Sequence, residues 1–97
     1  MEYINIKRQG DEEVIARYKA LFKKESLKEL VNKYNREARI GIVGVHQQAL
    51  YLIALRKEFL VRLKASPVYL RNYVLGIQGE IEFVDGEIKI KANREIK

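Results

Sequence analysis

Alternation of apolar and polar residues is clearest from Glu80 to Lys91, where two such runs flank Asp85-Gly86. Asp-Gly suits a two-residue type I′ turn, because both central residues of that turn need positive φ. A turn there sets the register: Val84 faces Glu87, Phe83 faces Ile88, Glu82 faces Lys89, Ile81 faces Ile90 and Glu80 faces Lys91. One face of the ribbon is then apolar and the other carries opposed charges, the arrangement that cross-strand pairing rewards. A two-stranded ribbon needs a cover for its apolar face. The pattern predicts helices over Ile81, Phe83, Ile88 and Ile90, the third helix above all.

Upstream, the apolar spacing becomes helical. Val14, Ile15, Tyr18, Leu21 and Phe22 form one stripe on a helix predicted from Asp11 to about Glu25, with Asp11, Glu12 and Glu13 at its start and Lys23 and Lys24 at its end. That charge order complements the helix dipole. Ser26-Leu27-Lys28-Glu29 fits a capping box, so a second helix starts at Ser26, carrying Leu27, Leu30, Val31, Tyr34 and Ala38 on one side. The polar run Asn35 to Arg39 predicts fraying at its end. A third helix is predicted from about Val45 to Ala65, and Ser66-Pro67 ends it because the residue before proline avoids the helical region.

Met1 to Lys7, with Tyr3, Ile4 and Ile6, reads as a short strand able to join a sheet edge. Ile40-Gly41-Ile42-Val43-Gly44-Val45 reads as a connector or short strand. Val68 to Val84 reads as extended, with Tyr73, Leu75, Ile77, Ile81 and Phe83 in one parity, either as one strand bent at Gly76 and Gly79 or as two separated by a turn at Gln78-Gly79. The expected fold is α+β: three helices packed on one face of a small antiparallel sheet that ends in a C-terminal β-hairpin. The order is β-α-α-α-β-β, or β-α-α-α-β-β-β with the extra turn. The 97 residues make one domain, with a loose tail over 92–97.

Composition narrows the function classes. The chain has no cysteine, which removes disulfides, thiolate metal sites and cysteine nucleophiles. No basic-plus-apolar leader begins it, and its longest apolar run, Ala49 to Leu55, is far short of the ~20 residues that span a bilayer, so a cytoplasmic location without a membrane partner is expected. Net charge is +6, with a pI near 9.6. Lys and Arg exceed Asp and Glu by ten to seven over residues 1–40 and by five to one over 41–72, and fall short by four to five over 73–97. The surplus is densest from Arg56 to Arg71. A moderately basic solvated surface accounts for most of it.

The third helix carries the main anomaly. Val45, Ala49, Leu52, Ile53, Phe59, Leu60 and Leu63 form one apolar face, and Arg56 falls in its middle. Its guanidinium must reach the edge of the core, meet a carboxylate or carbonyls, or bind an anionic ligand. The same helix is apolar on a second side, through Leu50, Tyr51, Ala54 and Val61, which suits either burial within the chain or a homodimer interface.

Acid/base and nucleophile sets are not evident. His46 stands alone as a helix-start residue, Ser26 is a cap and Ser66 precedes proline. Glu80 and Glu82 oppose Lys91 and Lys89 and form a ladder rather than a catalytic pair. No residue set calls for a metal or cofactor. Gly41-Ile42-Val43-Gly44 resembles the Gly-x-x-Gly loop with which KH domains clamp a nucleic-acid backbone. Ile42 and Val43 are apolar where such loops carry polar residues, so a tight connector is the reading adopted. Arg56, Lys57, Arg62, Lys64, Tyr69 and Arg71 form the candidate patch for an anionic or protein partner. The sequence thus points to a small non-enzymatic interaction module that self-associates through the third helix or a sheet edge. A nucleic-acid-binding module using that patch, with the Gly41–Gly44 loop, is the alternative.

Overall fold

The structure is a computed structural model that describes residues 2–3, 10–72 and 74–91, the first two by backbone only. The expectations for Ile4, Ile6 and Tyr73 and for a loose tail at 92–97 lie outside the described residues. Among the described residues the order is β1 (Glu2–Tyr3), α1 (Asp11–Lys23), α2 (Leu27–Ile40), α3 (His46–Leu63), β2 (Val68–Arg71), β3 (Val74–Ile77), β4 (Ile81–Val84) and β5 (Glu87–Ile90). The class is α+β. The strands form two antiparallel sheets, β1-β3-β2 and β4-β5, rather than the expected single one.

The capping box at the start of α2 is complete: Ser26 Oγ accepts from the Glu29 backbone at 3.1 Å, and Glu29 Oε1 accepts from the Ser26 backbone at 2.9 Å. Helix α2 then runs unbroken through Asn35 to Ile40, which corrects the expected fraying. Ile15 and Phe22 of α1 are buried, whereas Leu21, predicted for the same stripe, is 56 % exposed. Helix α3 is buried at Ala49, Leu50, Leu52, Ile53, Ala54, Leu55 and Phe59. Both of its apolar sides are therefore used inside the chain. It packs mainly along α1 and also meets β2 and α2. The rings of Tyr18, Phe22 and Tyr51 cluster at the α1–α3 contact. No helix of the described residues is long and apolar enough to cross a membrane.

Residues 68–84 form three strands rather than one bent strand: the expected break at Gln78-Gly79 separates β3 from β4, although the two lie in different sheets, and a second, unexpected reversal separates β2 from β3. Arg71 pairs with Val74, and the chain reverses at Asn72, which adopts φ 53°, a left-handed conformation that asparagine tolerates. This additional hairpin places β2 under α3. The C-terminal hairpin therefore meets α2 instead, which corrects its expected cover. Its own register is as the alternation predicts, with Ile81 opposite Ile90, Glu82 opposite Lys89, Phe83 opposite Ile88 and Val84 opposite Glu87. Asp85 and Gly86 both take positive φ, 53° and 82°.

Candidate hairpin docking site

Three side chains of α2 hold the start of the C-terminal hairpin. Asn35 is 6 % exposed; its Nδ2 donates to the Ile81 carbonyl and its Oδ1 accepts from the Ile81 N–H, both at 2.8 Å. The amide side chain thus mimics a neighbouring strand, satisfying both backbone groups of a residue that is 0 % exposed. The Tyr34 hydroxyl donates to the carbonyls of Gln78 and Gly79, at 2.9 Å from the latter. Burial raises the pKa of this hydroxyl well above the ordinary tyrosine range, so it remains a donor. Arg39 reaches Glu80 at 3.2 Å, and Lys91 lies 3.7 Å from the same carboxylate. Those surface ion pairs add little energy compared with the buried amide pair.

Beyond Ile81 the cover stops. Phe83 is 43 % and Ile90 57 % exposed, while Ile88 packs partly against the core. The backbone groups follow from the ladder. The Lys91 N–H donates to the Glu80 carbonyl at 2.9 Å, and alternation then puts Ile81, Phe83, Ile88 and Ile90 in the non-hydrogen-bonded pairs, with their N–H and C=O groups directed away from the hairpin. On the β4 side, Ile81 is taken by Asn35, and a groove of about 580 Å³ lined by Leu27, Val31, Asn32 and Phe83 separates the strand from α2. On the β5 side, the outward groups of Ile88 and Ile90 have no partner among the described residues.

The other sequence-predicted residues fare differently. Leu50 and Ala54 are 2 % and 0 % exposed and Tyr51 is half-buried, so only Val61, 74 % exposed, remains of the proposed α3 interface. Burial raises the Tyr51 pKa, and Lys33 and Arg36 act against that rise. The hydroxyl makes no hydrogen bond of good geometry among the described residues.

Arg62 is withdrawn from the basic patch by its own contacts. Its Nε lies 2.7 Å from buried Glu58, and its terminal nitrogen donates to the carbonyls of Phe22 at 2.9 Å and Lys23 at 3.3 Å. It caps the end of α1. Tyr69, opposite Gly76, covers that glycine so closely that a Cβ at Gly76 would run into its ring. Lys64 ends α3 in a left-handed conformation, φ 61°. Arg56 is half-buried with no hydrogen bond or ion pair among the described residues, in keeping with a stem along the core and a head at its edge. Lys57 and Arg71 are exposed. The structure thus leaves four cations of the patch without its central guanidinium.

The Gly41–Gly44 loop is a connector between α2 and α3. Its Val43 N–H donates to Gln48 Oε1 at 3.0 Å, and Gln48 Nε2 donates to the Gly41 carbonyl at 3.0 Å and to Glu37 at 3.1 Å. A backbone amide that a phosphate clamp would employ is already engaged. His46 opens α3, with Nε2 3.0 and 3.1 Å from the oxygens of Asp11. A carboxylate only accepts, so Nε2 donates, and the pair ties the starts of α1 and α3 together.

Sequence reasoning missed Tyr34 and Asn35 as the residues that place the hairpin. A signal existed, since Asn35 follows Val31 by one helical turn and so borders the apolar stripe, where an amide must find a partner. No family model matches this chain, and neither a characterised protein nor a solved structure is significantly similar to it.

Proposed function

We propose that this chain is a small, non-enzymatic interaction module of the cytoplasm that docks protein partners on its β4–β5 hairpin. One observation carries this reading: among the described residues, an apolar strand face and an unpaired strand edge remain open on a hairpin whose base is held by buried hydrogen bonds. An edge of this kind accepts an added strand through main-chain hydrogen bonds, while exposed side chains beside it supply selectivity. A base fixed before binding reduces the ordering cost of association. Phe83 is the natural anchor, since exposed aromatic residues contribute strongly at interfaces. The apolar side of α3 does not serve this purpose, because the chain's own core covers it.

Photo-cross-linking tests the reading. A benzophenone amino acid replacing Phe83 is expected to give discrete covalent protein adducts in cells, and Ile90→Lys is expected to abolish them. The same probe replacing Leu21, which is 56 % exposed on α1, is expected to give none. Equal labelling from both positions, or no adduct from position 83, would contradict the proposal.

A further inference from the structure

Resting on the hairpin as the docking platform, we infer that its partner is a second copy of this chain, paired antiparallel along β5. The backbone groups without a partner among the described residues belong to Ile88 and Ile90, so an antiparallel copy has few registers in which such groups meet. Placing Ile88 opposite Ile90 of the second copy engages both residues on both strands, about four main-chain hydrogen bonds in all. Centring the axis on Ile88 or on Ile90 engages only one such pair. Charge excludes one of these alternatives: in the favoured register Glu87 stands opposite Lys91 of the second copy, twice by symmetry, whereas centring on Ile90 sets Lys89 against Lys91 on both sides. Centring on Ile88 also pairs unlike charges, Glu87 with Lys89, so there the hydrogen-bond count decides. Glu87 is exposed and makes no ion pair among the described residues, so it is available for this contact.

The favoured register has one adverse contact, Lys89 against its own copy. Each of these lysines already lies opposite Glu82 in its own hairpin, so the charges across the four strands run Glu, Lys, Lys, Glu. On the other face, Phe83, Ile88 and Ile90 of both copies join into one apolar surface. Strands of four residues bury less than the ~1,200 Å² at which standard interfaces begin. The association is therefore weak and concentration-dependent.

Charge exchange tests the register. Sedimentation velocity of the full chain is expected to show a mean mass rising toward twice the monomer between micromolar and millimolar concentration. Glu87→Lys alone, or Lys91→Glu alone, sets like charges opposite each other and is expected to remain monomeric. Mixing the two variants restores both pairs in the heterodimer, and association returns. Circular dichroism of each variant establishes that it is folded. A wild-type chain that stays monomeric at millimolar concentration would overturn the self-pairing. If adducts to other proteins still form at position 83, the docking reading survives that failure. Dimerisation unaffected by either single substitution would overturn the β5 register.

Discussion

Asn35→Ala is expected to lower the melting temperature by about 10 °C or more. The substitution removes the partner of both the N–H and the C=O of Ile81, a residue with 0 % exposure. Leaving a buried polar group unsatisfied costs about 1–3 kcal/mol, so two such groups cost about 2–6 kcal/mol. In a domain of this size each kcal/mol moves the midpoint by about 4–8 °C. Asn35→Asp discriminates the cause: its carboxylate still accepts from the Ile81 N–H at one oxygen but offers no donor to the Ile81 carbonyl, so it is expected to be no better than alanine. Thermal melting by circular dichroism reads both. A shift of only a few degrees for Asn35→Ala would mean that the hairpin is held by something other than this amide.

Arg62→Ala is expected to be nearly as damaging, for a different reason. Glu58, 6 % exposed, would lose its only ion-pair partner among the described residues, and the carbonyls that end α1 would lose their cap. Removing one member of a buried pair costs about 3–5 kcal/mol. Replacing both members by apolar residues of similar volume, Glu58→Leu with Arg62→Met, is expected to recover most of that loss, since apolar replacements of buried pairs are commonly neutral or stabilising. Urea denaturation of the single and double variants closes the cycle. A double variant as unstable as Arg62→Ala would assign the loss to the α1 cap instead of the stranded carboxylate. The same contacts explain why Arg62, the most central cation of the sequence-defined patch, is not available to an anionic partner.

What was legible in the sequence was local. Asp85-Gly86 and the alternation around it specify turn and register within a dozen residues, and Ser26 with Glu29 specifies a helix start within one turn. What was not legible depended on partners far along the chain. Asn35 reads as a polar interruption of α2 until Ile81, 46 residues later, is beside it. Arg62 reads as a free cation although Glu58 one helical turn earlier hints otherwise, because the carbonyl of Phe22 is 40 residues distant. The reversal at Asn72 was missed although the apolar parity changes across it, from Val68 and Leu70 before it to Leu75 and Ile77 after it. That one missed turn also misassigned the cover of the C-terminal hairpin, since the strands it creates occupy the place beneath α3. For the candidate site, the apolar hairpin face was foreseen and its exposure was not, because exposure depends on which helix covers the face and how far that helix extends.

Amide hydrogen exchange, measured residue by residue by NMR across protein concentrations, tests the central claim most directly: a hairpin fixed at its base and open along β5. The Ile81 amide, bonded to Asn35, is predicted to be protected at every concentration. The Ile88 and Ile90 amides are predicted to exchange rapidly in dilute solution and to gain protection as concentration rises. Rapid exchange at Ile81, or protection at Ile88 and Ile90 that is independent of concentration, would contradict it.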